Sequence, residues 1–352
     1  MQNRNMICAF VGMLAVGSLG TAQATAAEAP KTMGIRIVPS FGLRISSWSL
    51  GSDESGNPVY GTMGQGVHPD VEFYFKLTSA FDLGLETGYW MGSRSIAYGS
   101  RNVKQVTNYD YGYAKYVYDY NWNYADYSSD YSANVLPLRV WLRGGMPLGP
   151  VRLYAGASIG LYVPGDLTVA TKYHINYTRN TTYTPSGGTP TVTPYTQSAD
   201  YDAKTTYSMS AALGYAAVFG AEFPITPSIS LVGQLEWNHV ALYPTKAVSH
   251  SSTVGTTTTG SNPAQQYSYV YDWTTTYSDA GTNSTACNYN YATTGNTTTY
   301  NYSCDTGYRY TDTITSTSSS YTETYSGESQ AVGSSPWPFH NVALGIGVVI
   351  KI

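Results

Sequence analysis

The chain ends with Leu344-Gly345-Ile346-Gly347-Val348-Val349-Ile350-Lys351-Ile352, in which a large apolar residue occupies every even position. Two glycines, a valine and a lysine occupy the odd positions. Successive side chains of a β-strand point to opposite sides, so a period of two is typical of a strand with one apolar face. We therefore predict that the chain ends in a strand whose even-numbered side chains face an apolar environment.

The same alternation recurs in seven earlier stretches, so the sequence predicts eight strands: 34–48, 69–77, 81–92, 135–144, 151–163, 209–223, 228–242 and 340–352. Short turns join three of the consecutive pairs, and long segments join the others, at 49–68, 93–134, 164–208 and 243–339. Short and long connections that alternate are typical of a membrane-spanning barrel. We predict an all-β, eight-stranded antiparallel up-and-down transmembrane β-barrel, with short periplasmic turns and long Tyr/Thr-rich extracellular loops.

The N-terminus has the features of an export signal. Arg4 precedes an apolar run over 6–19, and small residues follow it at 21–27. This order predicts a signal peptide at 1–26 and a mature barrel at 27–352. No later segment has the roughly 18 uninterrupted apolar residues of a transmembrane helix, so the mature chain would have to cross a membrane with strands.

The composition excludes one class of partner and leaves one fold alternative open. Only 11% of residues are charged and the formal net charge is −4, so we expect no nucleic-acid partner. A soluble β-sandwich would show the same strand alternation. The export signal and the unequal connections favour the barrel.

Three stretches resemble a known family. They are Leu136-Pro137-Leu138-Arg139, the segment 153–160 and the terminal segment 342–352, which resemble the fourth, fifth and last strands of the bacterial outer-membrane β-barrel domain family, including small OmpA/OmpX-type and opacity-protein-like barrels. The resemblance implies an outer-membrane location with loops facing the exterior. It also implies contact with outer-membrane lipid and lipopolysaccharide, and biogenesis by the secretion and barrel-assembly machinery. Members usually end in an aromatic residue, whereas this chain ends in Ile352.

Charges of both signs fall on the inward face of the predicted barrel, beside many glycines. They are Arg36, Arg44, Asp70, Glu72, Lys76, Asp82, Glu86, Arg139, Arg143, Arg152, Glu222, Glu236 and Lys351. An unpaired charge in a narrow, poorly hydrated lumen would cost several kcal/mol, so these charges should pair. Because eight strands enclose little space, we expect a salt-bridged plug. The alternative, a charge-lined conduit, needs a wider barrel.

Tyrosines alternate with polar residues in two of the long loops. The second loop contains Tyr109, Tyr111, Tyr113, Tyr116, Tyr118, Tyr120 and Trp122, and the fourth contains Tyr267, Tyr269, Tyr271 and Trp273. The spacing predicts β-ribbons that continue beyond the membrane with one aromatic face. That face could pack on a neighbouring loop as a cap, or bind a ligand, since Tyr offers a large contact area at low entropy cost. The two interpretations are compatible.

The fourth loop also contains a mirrored segment. Cys287, Tyr289 and Tyr291 mirror Cys304, Tyr302 and Tyr300 about Gly295-Asn296. Both residues of a Gly-Asn pair tolerate positive φ, so this dipeptide favours a two-residue hairpin turn. Such a turn places the two cysteines opposite each other in a non-hydrogen-bonded pair, within disulfide range. Since the compartment after export is oxidising, we predict a Cys287–Cys304 disulfide.

Catalysis has little support in the sequence. The five histidines, His68, His174, His239, His250 and His340, show no metal-ligand spacing, and we expect neither a metal nor a cofactor. Only His68 with Asp70, and His239, stand near strand tops where barrel enzymes place their catalytic groups. The favoured hypothesis is therefore a non-enzymatic surface barrel with a structural, adhesive or ligand-binding role. The alternative is a small porin or transporter, which could have ten strands if the fourth loop added a membrane hairpin.

Overall fold

A computed structural model describes residues 33–46, 49–52, 58–60, 64–98, 100–278, 286–305, 307–317, 319–332 and 336–352. The predicted signal peptide at 1–26 lies outside the described residues. Among the residues described, no helix is long and apolar enough to span a membrane.

Every regular element in the described part of the chain is a β-strand. The strands are β1 (Met33–Ser46), β2 (Ser49–Ser52), β3 (Pro58–Tyr60), β4 (Gly64–Lys76), β5 (Phe81–Gly88), β6 (Trp90–Tyr98), β7 (Arg101–Asp110), β8 (Ala114–Leu148), β9 (Val151–Pro164), β10 (Leu167–Pro185), β11 (Thr191–Ser210), β12 (Ala212–Pro224), β13 (Ile229–Thr259), β14 (Gln265–Ser278), β15 (Cys287–Thr294), β16 (Thr297–Cys304), β17 (Arg309–Ser316), β18 (Ser320–Val332) and β19 (Trp337–Lys351). The prediction of an all-β chain is confirmed.

Eight strands pair in a closed circuit of antiparallel neighbours. The order is β1, β4, β5, β8, β9, β12, β13 and β19, and β19 pairs again with β1. The short turns at 77–80, 149–150 and 225–228 lie at one end of this circuit. Because β13 pairs directly with β19, no further hairpin is inserted between them.

The number of strands differs from the prediction. The main sheet has 17 strands rather than eight, and β2 and β3 form a separate two-stranded sheet. The segments predicted as long loops, at 93–134, 164–208 and 243–339, consist largely of strand, because their alternating Tyr and Thr residues favour extended backbone. The loop predicted at 49–68 contains β2, β3 and the start of β4.

Ten strands or strand ends beyond the circuit form what we call the extension sheet. Its order is β7, β8, β10, β11, β13, β14, β18, β17, β16 and β15, with β14 and β18 parallel and every other pair antiparallel. β8 alone is 35 residues long. At roughly 3.3 Å per residue, its 114–132 segment extends about 60 Å beyond the circuit.

The predicted parity of the circuit strands matches the burial of their side chains. In β5, Leu83 and Leu85 are exposed on the outside while Asp82 and Glu86 are buried inside. In β19, Leu344 and Ile346 are 63% and 69% exposed, whereas Val349 is fully buried. The outside of the circuit is therefore apolar, and the inside contains the charges.

Candidate functional site

The lumen of the circuit contains ion pairs in successive levels. Nearest the short turns, Arg152 Nη1 lies 2.8 Å from Asp82 Oδ2 and 3.7 Å from Glu222 Oε2. Lys351 Nζ lies 2.9 Å from the other oxygen of Glu222. These groups come from β5, β9, β12 and β19, so the level links opposite sides of the circuit.

The middle level joins two arginines through one carboxylate. Arg36 lies 3.1 Å from Glu72, and Arg143 bonds to the other oxygen of Glu72. Aromatic rings enclose both arginines: Arg36 lies 5.0 Å from the ring centre of Tyr154, and Arg143 lies 4.6 Å from that of Trp141. These contacts hold the guanidinium groups in place within a buried layer.

The upper level centres on Arg139. Its guanidinium donates to Glu86, Glu236 and Asn238, and lies 4.0 Å from Asp70. The Arg139 side chain is fully buried. One cation thus faces three carboxylates from three other strands.

Glycines on the same face leave the space that the long charged side chains occupy. A Cβ at Gly160 would overlap the Leu138 carbonyl and the Arg139 side chain. A Cβ at Gly84 would overlap the Glu72 carboxylate. At these positions the lumen therefore accommodates either the ion pairs or an extra side chain, but not both.

An apolar cluster lies above the charges, towards the extension sheet. It consists of Trp90, Ala133, Val135, Tyr162, Leu167, Val240, Leu242 and Phe339, all less than a tenth exposed. Tyr207 and Trp337 pack against this cluster, with ring centres 5.0 Å apart. Charges and apolar rings together occupy successive levels of the lumen.

Two of the predicted interior charges differ from the rest. Lys76 is only half-buried, opposite Asp82 in register and close to a short turn. The backbone of Arg44 pairs with Asn341 and Gly64, but its side chain lies outside the described residues. The other predicted interior charges are buried or, for Arg152 and Lys351, partly buried.

The aromatic residues of the extension sheet share one side, which we call the tyrosine face. Strand register establishes this, because directly paired residues point to the same side of a sheet. Trp122 pairs with Tyr177, Tyr173 with Tyr201, Tyr267 with Tyr321, Tyr271 with Tyr325, Tyr310 with Tyr302, and Tyr302 with Tyr289. Tyr201 of β11 and Tyr269 of β14 both pair with Thr253 of β13, so the tyrosines before and after β13 in the sheet lie on the same side.

The tyrosine face continues the inner side of the circuit. In β10, Leu167 belongs to the apolar cluster, and Tyr173 and Tyr177 follow on the same side of the strand. In β11, Tyr207 packs on the same cluster, and Tyr201 and Tyr195 follow. The aromatic surface is therefore the upward extension of the lumen wall.

Rings along the tyrosine face contact each other in rows. Tyr118, Tyr120 and Trp122 are nearly parallel, with successive ring centres 6.0 and 5.3 Å apart. A second row consists of Tyr271, Tyr325 and Tyr310, with centres 5.0 and 5.1 Å apart. Most of these rings are half-buried, so they stabilise the sheet and also present a continuous aromatic surface.

The predicted aromatic residues of the second loop occupy two environments. Tyr109, Tyr116, Tyr118, Tyr120 and Trp122 lie on strands, whereas Tyr111 and Tyr113 lie in the turn between β7 and β8. Tyr111 is 55% exposed and Tyr113 is 73% exposed, at the far tip of the hairpin. Tyr113 is thus the most exposed of the predicted loop aromatics.

The opposite face of the extension sheet has charged side chains. Lys172 lies 2.9 Å from Asp202, and His174 Nδ1 lies 2.8 Å from Asp200. The hydrogen bond to Asp200 raises the pKa of His174 above its ordinary value. On the tyrosine face, burial against Tyr201 raises the pKa of Tyr173 to about 12. One face is therefore polar and titratable. The other is mainly aromatic but also has charged residues, because Arg179, Asp312 and Glu323 pair with Tyr195, Tyr300 and Tyr269 on it.

The mirrored cysteine segment forms the predicted hairpin. Cys287 pairs with Cys304 and Thr294 pairs with Thr297 across a turn in which Gly295 has a φ of 59°. The structure joins the two cysteines by a disulfide, with Cα atoms 4.1 Å apart. Tyr289 and Tyr291 of this hairpin are 57% and 66% exposed.

The groups considered for catalysis have structural neighbours. The His68 ring is fully buried, stacks on Trp90 at 4.9 Å and accepts from Asn341 Nδ2 at 3.2 Å. Asp70 accepts from Trp90 Nε1 at 3.3 Å. His239 faces outward and contacts His340, with their Nδ1 atoms 3.2 Å apart. His68 and His239 thus lie on opposite sides of the circuit wall.

Sequence reasoning missed several residues of these two regions. The lumen aromatics Trp90, Trp141 and Tyr162 were not identified, although their position on the charged side of each strand was a signal. Tyrosines of the third loop and of β18 were also missed, because they are spaced more widely than those of the second loop. Their alignment depends on pairing between distant strands.

Comparison with known proteins gives no close relative. No family model matches the chain, and no curated protein matches its sequence. Solved structures with weak similarity include a TodX deltaS2S3 mutant monoaromatic hydrocarbon channel (7% identity, 92% of this chain and 90% of that chain, TM-score 0.18). Another is an anion-selective porin from Comamonas acidovorans (7% identity, 91% of this chain and 98% of that chain, TM-score 0.12). A third is the FrpB iron transporter from Neisseria meningitidis (8% identity, 91% of this chain and 81% of that chain, TM-score 0.11). TM-scores this low establish neither a shared fold nor a shared function.

Proposed function

We propose that this protein is a non-enzymatic outer-membrane surface barrel that binds an extracellular ligand through the tyrosine face. The eight-stranded circuit is the membrane-spanning part, its short turns face the periplasm, and the extension sheet stands outside the cell. The observation that carries the proposal is the tyrosine face, because aromatic side chains from eight strands of the extension sheet align on one side of it.

The outer surface of the circuit supports a membrane location. Leu85, Phe219, Ile159 and Ile346 are 54%, 60%, 71% and 69% exposed, and each lies on a different strand. Soluble monomers rarely expose contiguous apolar surface of more than a few hundred Å², so lipid is the natural environment of this band. Tyr215, Trp237, His239 and His340 cluster outside, near the extension sheet, where barrels place aromatic residues at the membrane interface.

The filled lumen favours a surface role over the porin alternative. An open channel would have to separate Arg139 from Glu86 and Glu236 and also displace the apolar cluster. We expect no steady conductance above background when the refolded protein is inserted into a planar bilayer. Reproducible large open-channel steps would contradict the proposal and favour the porin.

The ligand best suited to the tyrosine face is an extended glycan. Sugar rings have flat apolar faces edged by hydroxyls, and tyrosine offers a flat ring and a hydroxyl at low entropy cost. Rows of rings 5 to 6 Å apart provide repeated contacts, along β8 in one row and across β14, β18 and β17 in the other.

A glycan array tests this binding, with labelled refolded protein in detergent as the probe. The triple variant Tyr118→Ser, Tyr120→Ser, Trp122→Ser should lose at least about tenfold in affinity, since each stacking contact is worth about 0.5 to 1.5 kcal/mol. The control substitutes the alternate residues of the same strand, Val117→Ser, Asp119→Ser and Asn121→Ser, which lie on the opposite face. Equal binding by the two variants, or no glycan bound by the unmodified protein, would contradict the proposal.

A further inference from the structure

The extension sheet is open, and its two edge strands differ. Within the described residues β7 pairs only with β8, and β15 pairs only with β16. All eight residues of β15 are exposed. Each edge therefore presents backbone groups that no neighbouring strand of the sheet uses.

The hydrogen-bond pattern identifies the free groups of β15. Asp305 N–H donates to the Ala286 carbonyl at 3.1 Å, whereas Cys304 N–H turns away and donates to Tyr308 at 2.8 Å. Antiparallel strands alternate between bonded and non-bonded pairs. The N–H and C=O groups of Tyr289, Tyr291 and Thr293 consequently point away from β16, towards the open edge.

Only one of the two edges has the usual protection against strand addition. Natural edges are blocked by charged residues, proline or bulges. β7 contains Lys104 and Asp110, and Asp110 pairs with Lys115 at 3.0 Å. β15, with the sequence CNYNYATT, contains no charge and no proline and pairs without a bulge. β15 is therefore an uncharged edge strand without a bulge, to which another strand can pair.

The sequence of β15 indicates which strand would fit. Read forwards, β15 matches β16 read backwards, and six of the eight facing pairs consist of identical residues, two of them Tyr with Tyr. The central Tyr289-Asn290-Tyr291 of β15 reads the same in both directions, and it already pairs antiparallel with the identical Tyr300-Asn301-Tyr302 of β16. A second copy of β15 that runs antiparallel presents the same three residues on its own open edge.

We propose that β15 pairs antiparallel with β15 of a second copy of this protein, about a two-fold axis through Asn290. In this register Tyr289 of one copy faces Tyr291 of the other in a hydrogen-bonded pair, and the tyrosine faces of the two copies join. The interface is isologous, as in most homodimers. The inference rests on the proposed function only in that the extension sheet must be free of the membrane.

Single cysteines test the register. With the axis at Asn290, the two Asn290 residues form a non-hydrogen-bonded pair with Cα atoms about 4.5 Å apart, within disulfide range. Asn290→Cys should therefore give a covalent dimer under mild oxidation in detergent. The control Ala292→Cys lies on the same face, but its two copies would be offset by four residues, about 13 Å. It should remain monomeric on a non-reducing gel.

Proline substitutions test the backbone contacts. The Tyr291 N–H points to the open edge, so Tyr291→Pro should leave the hairpin intact and shift the mass in detergent from twice the monomer to the monomer. The matched control is Val106→Pro on the edge strand β7. Tyr111 N–H donates to the Ala114 carbonyl, so the alternation of bonded and non-bonded pairs directs the Val106 N–H to the open edge as well. This control should leave the dimer unchanged.

Three results would overturn the inference: a monomeric unmodified protein, cross-linking of both cysteine variants, or a dimer that survives Tyr291→Pro. Cross-linking of both would indicate a parallel, in-register pair. Every variant is first checked for a folded barrel by its heat-dependent gel mobility. Loss of that property in the unmodified protein would count against the proposed membrane barrel, not against the strand pairing.

Discussion

Arg139 offers the sharpest test of the filled lumen. Its guanidinium bonds to Glu86 and Glu236 and lies 4.0 Å from Asp70, with its side chain fully buried. Arg139→Met removes the cation that Glu236 and Asp70 face, while Glu86 keeps Arg143 at 3.6 Å. Removing one partner of a buried ion pair costs about 3 to 5 kcal/mol, so the free energy of unfolding should fall by at least this amount.

Urea unfolding of the refolded protein in detergent, followed by tryptophan fluorescence, measures the loss. The control is Lys115→Met, which breaks a pair of 67% and 56% exposed side chains and should cost less than about 1 kcal/mol. Adding Glu86→Gln and Glu236→Gln to Arg139→Met should recover part of the stability, because two of the three carboxylates around position 139 are then replaced by neutral amides. Similar small losses in Arg139→Met and Lys115→Met would refute the buried network.

Three further outcomes are expected. Leu85→Arg places a charge on the outer face of β5 and should reduce the folded fraction in lipid vesicles, at a cost of about 2 to 4 kcal/mol, whereas Leu85→Ile should not; equal folding would contradict the lipid-facing assignment. The raised pKa of His174 means that its bond to Asp200 stabilises the β10–β11 hairpin at low pH and that this contribution is lost as pH rises through the folded-state pKa. The protection factor of amides in that hairpin, which corrects for the intrinsic pH dependence of exchange, should therefore fall as pH rises above about 6.5, the ordinary pKa of histidine. Asp200→Asn should abolish this fall, and a protection factor that does not change with pH in the unmodified protein would exclude the linkage. Tryptic digestion of the unreduced protein should release a Cys287–Cys304 bridged peptide, and reduction should loosen that hairpin by about 3 kcal/mol without altering the barrel's urea midpoint; two alkylatable thiols would end the disulfide assignment.

Local regularities in the sequence predicted the features that depend on neighbouring residues. The parity of β5 separates Leu85 from Glu86 because successive side chains of a strand must point to opposite sides. The pairing of Cys287 with Cys304 could be predicted because the turn at Gly295 fixes which residues of the two strands face each other. Both features follow from strand geometry within one segment.

The sequence also indicated that the inward glycines leave space in the lumen. It did not show which side chains occupy that space. Gly84 leaves room for Glu72. Gly160 lies on β9 and leaves room for Arg139 on the neighbouring strand, β8. Substituting serine at Gly84 would therefore disturb the ion pairs of Glu72 with Arg36 and Arg143. Such consequences become visible only when the strands are assembled.

By itself, the sequence determined the all-β chain, the two-faced strands, the inward charges and the mirrored hairpin. Only the tertiary structure decided that Arg139 bonds to Glu86 and Glu236, 53 and 97 residues away, that β14 and β18 run parallel, and that separate tyrosine ribbons merge into one face with an open edge at β15. The physical reason is that a period of two sets which side a residue faces, whereas the identity of the neighbouring strand depends on pairing energies summed over segments far apart in the chain.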